Sequence, residues 1–275
     1  MAQATTTDGR PATPPVRSRP TRRGPALVEF YRSAVGKKWV MGVTGVLIMG
    51  FVLVHLIGNL KLYISREEMN LYGEALRDLG GHLVPRTSIL WAFRLGLIVA
   101  FALHIHAATA LTVTNRRARP VTYESKRDYV VANYASRTMR WSGVILALYI
   151  LFHLADLTWG NANPDFVRGD PYNNLVYSLQ RPVVAAVYVV ANVALGLHLV
   201  HGAWSLFQSL GLNNPKYNHL RARFAQAFTA IVVLGNLSFP VLVQLHVVEP
   251  ACPGGDPVAE CPEDSGISTA APARR

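Results

Sequence analysis

The chain has 275 residues, of which 51% are hydrophobic and 16% charged, with a formal net charge of +11 and two cysteines. Such a balance is too apolar for a soluble domain of this size and points to the membrane as solvent. Nucleic acid is argued against by the distribution of the charge, and the cysteine-free inner loops exclude a thiolate-bound iron–sulfur cluster within this chain.

Residues 1–25 are rich in Pro, Thr and Arg, carry no apolar stretch, and are expected to be a disordered basic segment rather than a signal peptide. An amphipathic lead-in, ALVEFYRSAVGKKWV, follows, with Lys37 and Lys38 placed for headgroups and Trp39 for the interface. Five apolar runs then cover about 39–62, 88–113, 139–159, 182–207 and 224–247. A bilayer core roughly 30 Å thick needs about 20 helical residues at ~1.5 Å each, so each run is long enough to cross. The first connection contains NLYGEALRDL, whose apolar spacing predicts a short surface helix, and the third, GNANPDFVRGDPYNNLVYSLQRP, reads as a turn-rich polar loop.

Basic residues lie before the first run (Arg22, Arg23, Arg32, Lys37, Lys38), after the second (Arg116, Arg117, Arg119, Lys126, Arg127) and after the fourth (Lys216, Arg221, Arg223). Acidic residues mark the other loops: Glu67, Glu68, Glu74 and Asp78, then Asp165 and Asp170, then the tail from Glu249. Positive charge on alternate loops predicts a cytoplasmic N-terminus and an external C-terminus in the plasma membrane. The expected organisation is therefore a basic cytoplasmic segment (1–25), a five-helix membrane domain (26–248) and an external, acidic, flexible tail (249–275) in which Cys252 and Cys261 could pair.

Four of the five runs carry a histidine at depth: His55, His104, His153 and His198. His55 lies 16 residues after Trp39 and His153 lies 13 after Arg140, both in helices running outwards. At ~1.5 Å per residue both reach the outer half of the bilayer, ~20–24 Å along. His104 lies 16 residues after Ser88 and His198 lies 16 after Pro182 in helices running inwards, so these two match at the inner depth. A lone membrane histidine is more often a helix-to-helix hydrogen-bond partner than a ligand. Four at two matched depths instead suggest two bis-histidine centres, an arrangement that saturates a haem iron and favours electron transfer over oxygen binding. The fifth run, without a histidine until His246, is expected to pack against this four-helix bundle in an all-α membrane fold.

The stretches KKWVMGVTGVLIMGFVLVHLIGNL, LHIHAATALTVTNRRARP and HLVHGAWSLFQSLGLNNPKY resemble the cytochrome b membrane anchor of succinate:quinone oxidoreductases, in the single-chain, five-helix, dihaem form of menaquinone-using bacteria. The similarity covers about residues 30–247, with HLVHGAWSLFQSLG its most specific part. It implies a succinate dehydrogenase or fumarate reductase cytochrome b558-type subunit, with His55 and His153 on a distal haem b and His104 and His198 on a proximal one. It further implies flavoprotein and iron–sulfur partners docked on the cytoplasmic face, and a quinone, menaquinone, as the electron acceptor. A further small anchor subunit or an oligomer is compatible with it.

Secondary candidates flank these four. His106 is two residues from His104, about 200° round the helix, whereas His201 shares a face with His198 and suits a propionate or a quinone. Arg94, near the outer end of the second run, is a candidate carboxylate partner because an arginine at that depth is costly alone. Ser33, Lys38 and Trp39 on the inner side and Tyr63 on the outer side are candidates for a quinone carbonyl, though each reads more readily as an interfacial anchor or propionate partner. The chain itself contains no dinucleotide-binding glycine motif and no succinate site, so any succinate chemistry belongs to partners. Two alternatives stay open: a stand-alone dihaem cytochrome carrying electrons across the membrane, and a non-haem structural anchor whose histidines bond between helices.

Overall fold

The computed structural model describes residues 25–118, 130–212 and 214–252, and of residues 130–137 only the backbone. Among the described residues the protein is all-α: α1 (Ala26–Arg32), α2 (Ala34–Asn59), α3 (Arg66–Arg77), α4 (Ser88–Arg117), α5 (Val130–Leu157), α6 (Pro171–Gln180), α7 (Pro182–Ser209) and α8 (Asn218–Gln244). Five of them are long and apolar enough to cross a membrane: Ala34–Tyr63, Ser88–Arg117, Thr138–Leu157, Pro182–Ser209 and Pro215–Gln244. They match the five runs expected from the sequence, extended at their polar ends because a helix leaves the hydrocarbon without needing to stop.

Local chemistry sets where each helix begins. Ser33 caps α2: its hydroxyl accepts from Gly36 N–H at 2.9 Å and donates to the Phe30 carbonyl at 2.7 Å. Gly36 permits this joint, since a Cβ there would lie 1.9 Å from the Phe30 oxygen. A short 3₁₀ turn, Leu60–Tyr63, ends the first span, and Ser65 then caps α3 by accepting from Glu68 N–H at 3.1 Å. Beside this turn Gly58 lets the Tyr72 ring approach α2; a Cβ would meet that ring at 2.6 Å.

The packing is organised around α7, which lies against α8, α5 and α2, while α4 pairs with α2. The end of the bundle that carries Lys37, Lys38, Arg116 and Arg117 is here called the basic end. At the opposite end α3 and α6 close the bundle, and the buried apolar cluster gathers there: Leu56, Leu62, Met69, Leu175, Val176, Leu179, Tyr188, Phe239 and Val243. α4 is little enclosed, with Ala100, Ala107 and Leu111 its buried residues, so most of its apolar surface is left for lipid.

Two expectations are corrected. The third connection is not merely a polar loop but contains α6, most of whose residues are buried. Asp170 starts it, its carboxylate accepting from Asn173 N–H at 3.3 Å, and Pro171 supplies the fixed φ suited to a first helical residue. The same carboxylate takes Arg66 Nη2 at 2.8 Å and Asn70 Nδ2 at 2.9 Å, locking α6 to α3. The tail also starts later than expected. Asn173 Nδ2 donates to the Ala251 carbonyl at 3.0 Å and its Oδ1 accepts from Ala251 N–H at 3.0 Å, so residues to Cys252 are docked. Cys252 is buried and disulfide-bonded. The chain's other cysteine, Cys261, lies outside the described residues, as do residues 1–24, 119–129, 213 and the rest of 253–275.

Candidate functional site

The four histidines of the spans meet in two pairs across the bundle. His104 on α4 faces His198 on α7 with ring centroids 6.5 Å apart, and His55 on α2 faces His153 on α5 at 5.9 Å. Each pair thus joins two helices that run the same way, α4 with α7 and α2 with α5. A metal held between two opposed imidazoles, each nitrogen about 2 Å away, needs ring centres roughly 6–6.5 Å apart. Both pairs stand at about that spacing, too far for a ring-to-ring hydrogen bond and right for an ion between them.

The surroundings of the first pair repeat one motif. On α2 the Thr44 hydroxyl lies 3.2 Å from His104 Nδ1, and on α5 the Ser142 hydroxyl lies 3.2 Å from His198 Nδ1. Each hydroxyl proton is already committed to its own helix: Thr44 donates to the Val40 carbonyl at 2.7 Å, and Ser142 to the Thr138 carbonyl at 2.7 Å. The hydroxyl oxygens can therefore only accept from the imidazoles, which places the proton on Nδ1 and leaves Nε2 with a free lone pair. The residue after each is glycine, and a Cβ at Gly45 or Gly143 would stand 3.6 Å from His104 Cε1 or 3.7 Å from His198 Cε1. At Gly50, Gly96 and Gly202 an added Cβ would meet nothing within 4 Å. Beside the rings themselves, Gly45 and Gly143 keep their helices free of side-chain bulk.

The second pair is set in a polar network. The Tyr188 hydroxyl lies 3.3 Å from His153 Nδ1 and donates to Asp156 Oδ2 at 2.9 Å. Asp156 is fully buried, ion-paired to Arg181 at 2.6 Å and hydrogen-bonded by the Ser178 hydroxyl. His55 stacks on Phe51 at 5.3 Å, and Tyr149 flanks His153 at 5.6 Å.

The secondary candidates fall elsewhere. His106 turns away from the His104–His198 pair, hydrogen-bonding the Tyr31 hydroxyl and stacking on that ring at 5.7 Å. His201 is half-buried one turn beyond His198 towards the basic end. Arg94 is exposed, with its guanidinium 5.1 Å from the Trp91 ring centre, and among the described residues it forms no ion pair with a carboxylate side chain. Ser33 is occupied as a helix cap, and Lys38 and Trp39 are exposed beside it. Tyr63 donates to or accepts from Ser238 at 2.6 Å, stacks on Phe239, and lines a cavity of about 370 Å³ together with Arg66, Tyr172, Val248 and Ala251. A second cavity of about 360 Å³ opens at the basic end between Phe207, Tyr217, Arg221 and Phe224.

Sequence reasoning passed over Thr44, Ser142, Asp156 and Tyr188 as partners of the histidines. A signal for the first two was present: Thr44-Gly45 stands 11 residues before His55, and Ser142-Gly143 stands 11 before His153. Read side by side, TGVLIMGFVLVH and SGVILALYILFH are one pattern used twice, each helix supplying a hydroxyl to one histidine pair and a histidine to the other.

No curated protein and no solved structure matches the chain. Residues 115–237, from the end of α4 into α8 and including His153 and His198, match the family of the succinate dehydrogenase/fumarate reductase transmembrane subunit, which supports that family for this chain.

Proposed function

We propose that the chain is the membrane-anchor cytochrome b subunit of a succinate:quinone oxidoreductase, carrying electrons from an iron–sulfur partner through two b haems to a quinone such as menaquinone. The observation that carries this reading is the pair of facing imidazoles at 5.9 and 6.5 Å, one pair in each half of a membrane-spanning bundle. Among the described residues no group of three or more His, Cys, Asp or Glu gathers as a metal site. Each pair therefore offers two ligands, the number a tetrapyrrole iron still needs after its four ring nitrogens. Hydroxyls on neighbouring helices hold His104, His198 and His153 by Nδ1, so that Nε2 would be free to bind an iron.

In this reading the basic end is cytoplasmic, and Lys37, Lys38, Arg116 and Arg117 present positive charge to acidic surfaces of the flavoprotein and iron–sulfur subunits. His104 and His198 then form the proximal site and His55 and His153 the distal one. The cavity beside Tyr63 is of a size that suits a quinone headgroup on the distal side, with the phenol as its hydrogen-bonding group.

The test is purification of the tagged chain from its native membrane with whatever co-purifies, followed by a reduced-minus-oxidised spectrum and a succinate–quinone assay. Two b-type haems with flavoprotein and iron–sulfur partners are expected. Haem without those partners would instead establish a stand-alone cytochrome, and a colourless preparation would leave a structural anchor. A reporter fused after Arg275 should read as external; a cytoplasmic signal would invert the two layers.

A further inference from the structure

We propose that Asp156 and Tyr188 form a hydrogen-bonded relay that sets the electron density on His153, making the two centres unequal by design. The inference rests on the haem reading above and concerns only residues of this chain.

The argument begins with proton accounting. Tyr188 has a single hydroxyl proton, and it is given to Asp156 Oδ2 at 2.9 Å. The phenol oxygen that faces His153 Nδ1 at 3.3 Å can then only accept, so His153 is the donor and its Nε2 keeps a free lone pair, with the His55 ring 5.9 Å away. The order is carboxylate, phenol, imidazole, each member polarising the next. Hydrogen-bonded chains of this kind strengthen in a low-dielectric interior, and a carboxylate at the far end makes the ligating nitrogen more electron-rich.

Burial and position distinguish this chain from a surface accident. Asp156 is 0% exposed and Tyr188 5%. The carboxylate is held from the other side by Arg181, whose Nη1 also donates to the Ala162 carbonyl at 2.7 Å, and by Ser178. Arg181 is the residue between α6 and α7, so the folding of α6 is what places a cation and a hydroxyl where the carboxylate needs them. The packed rings of Tyr149 and Phe152 keep the phenol in place at 5.2 and 6.2 Å.

At the other pair the corresponding positions hold only neutral hydroxyls, Thr44 and Ser142, which pass the hydrogen bond to helix carbonyls. Anionic assistance thus reaches His153 and neither His104 nor His198 by this route. A more electron-rich ligand favours the oxidised iron, so the relay lowers the potential of the His55–His153 centre relative to one with a neutral partner. Asp156 and Tyr188 are positioning residues: they act through His153.

The simplest competing role is a staple between α5, α6 and α7, and the experiment separates the two. Tyr188→Phe removes one oxygen and keeps the ring, while Asp156→Asn keeps the shape of the carboxylate and removes its charge. In the purified complex, each substitution is expected to raise the midpoint potential of the His55–His153 centre. The expected size is about a tenfold change in the reduced-to-oxidised ratio at fixed ambient potential, close to 59 mV for a one-electron centre. The other centre should stay put, and the low-spin electron paramagnetic resonance signal of the shifted centre should move with it. The double variant should shift no further than Tyr188→Phe alone, since cutting the chain at the phenol disconnects the carboxylate. Asp156→Glu, which keeps the charge, should shift the potential less than Asp156→Asn does.

Equal movement of both centres, full additivity in the double variant, or an unchanged outer potential in Tyr188→Phe each overturns the relay. An independent readout needs no haem: ¹⁵N-histidine nuclear magnetic resonance of the full chain should find His153 protonated at Nδ1 in the wild type. Protonation at Nε2 overturns the relay even if haem is bound. A chain that binds no haem sinks the reading of the previous section while leaving this last measurement to decide the hydrogen bond.

Discussion

Thr44 on α2 and Ser142 on α5 do the same thing one helix pair apart: each places a hydroxyl oxygen 3.2 Å from Nδ1 of a histidine on the next long helix, His104 or His198. The relationship makes the bundle two copies of one unit crossed on each other. α2 and α5 each give a hydroxyl to the pair near the basic end and a histidine to the pair near the opposite end, so the two sites are built from the same helices and yet can be separated by mutation.

If the proposed haem reading holds, His153→Ala should remove the haem of the His55–His153 pair and leave the other largely intact, whereas His198→Ala should do the reverse. Haem content by spectrum and by extracted-haem assay checks both. Loss of both haems from either variant in a folded anchor would speak against two independent sites. His106→Ala should spare the inner spectrum, because that ring is engaged with Tyr31 on the other side of α4.

Gly143 tests the space beside the rings. A Cβ there stands at ordinary contact distance from His198, so Gly143→Ala should be tolerated, but a longer side chain must enter the volume a macrocycle would occupy. Gly143→Leu is expected to lower occupancy of the inner site by more than half while the outer band persists. Equal loss of both bands would show a folding defect instead.

Asp170 should be the most sensitive residue outside the spans. Its carboxylate receives Arg66, Asn70 and Asn173, and the Arg66 and Asp170 side chains are only 14% and 7% exposed. Asp170→Ala leaves a nearly buried guanidinium without its partner, for which about 3 kcal/mol of lost stability is expected. Thermal unfolding in detergent, with a drop of several degrees against Asp78→Ala as the exposed control, measures it.

Alkaline pH should loosen the same region. Burial, and then the charges of Glu67 and Asp170, raise the Tyr172 phenol above its ordinary value of 10.0, and burial with Asp165 and Asp170 does so for Tyr177. A raised acid is stable in its neutral form, so this contribution is whole below pH 10.0 and is lost as pH rises through the folded-state value. Melting temperature should fall above that pH, and less so in Tyr172→Phe, which cannot ionise but lacks the 2.9 Å bond to the Glu249 carbonyl.

What was legible in the sequence is what a one-dimensional period encodes. Apolar runs of bilayer length named the five spans, and counting residues from each polar boundary put His55 level with His153 and His104 level with His198, because helical rise converts position into depth. Rotation about the helix axis is not encoded that way. Which hydroxyl met which ring, and that Asp156 would turn inward to Tyr188 and Arg181, depended on how α5, α6 and α7 settled against each other. α6 itself was hidden because its start, GDPYNN, has the composition of a turn. The asparagines that suggest solvent are in fact buried, Asn173 bonding Ala251 and Asn174 the Val167 backbone, partners that only the folded chain brings within reach.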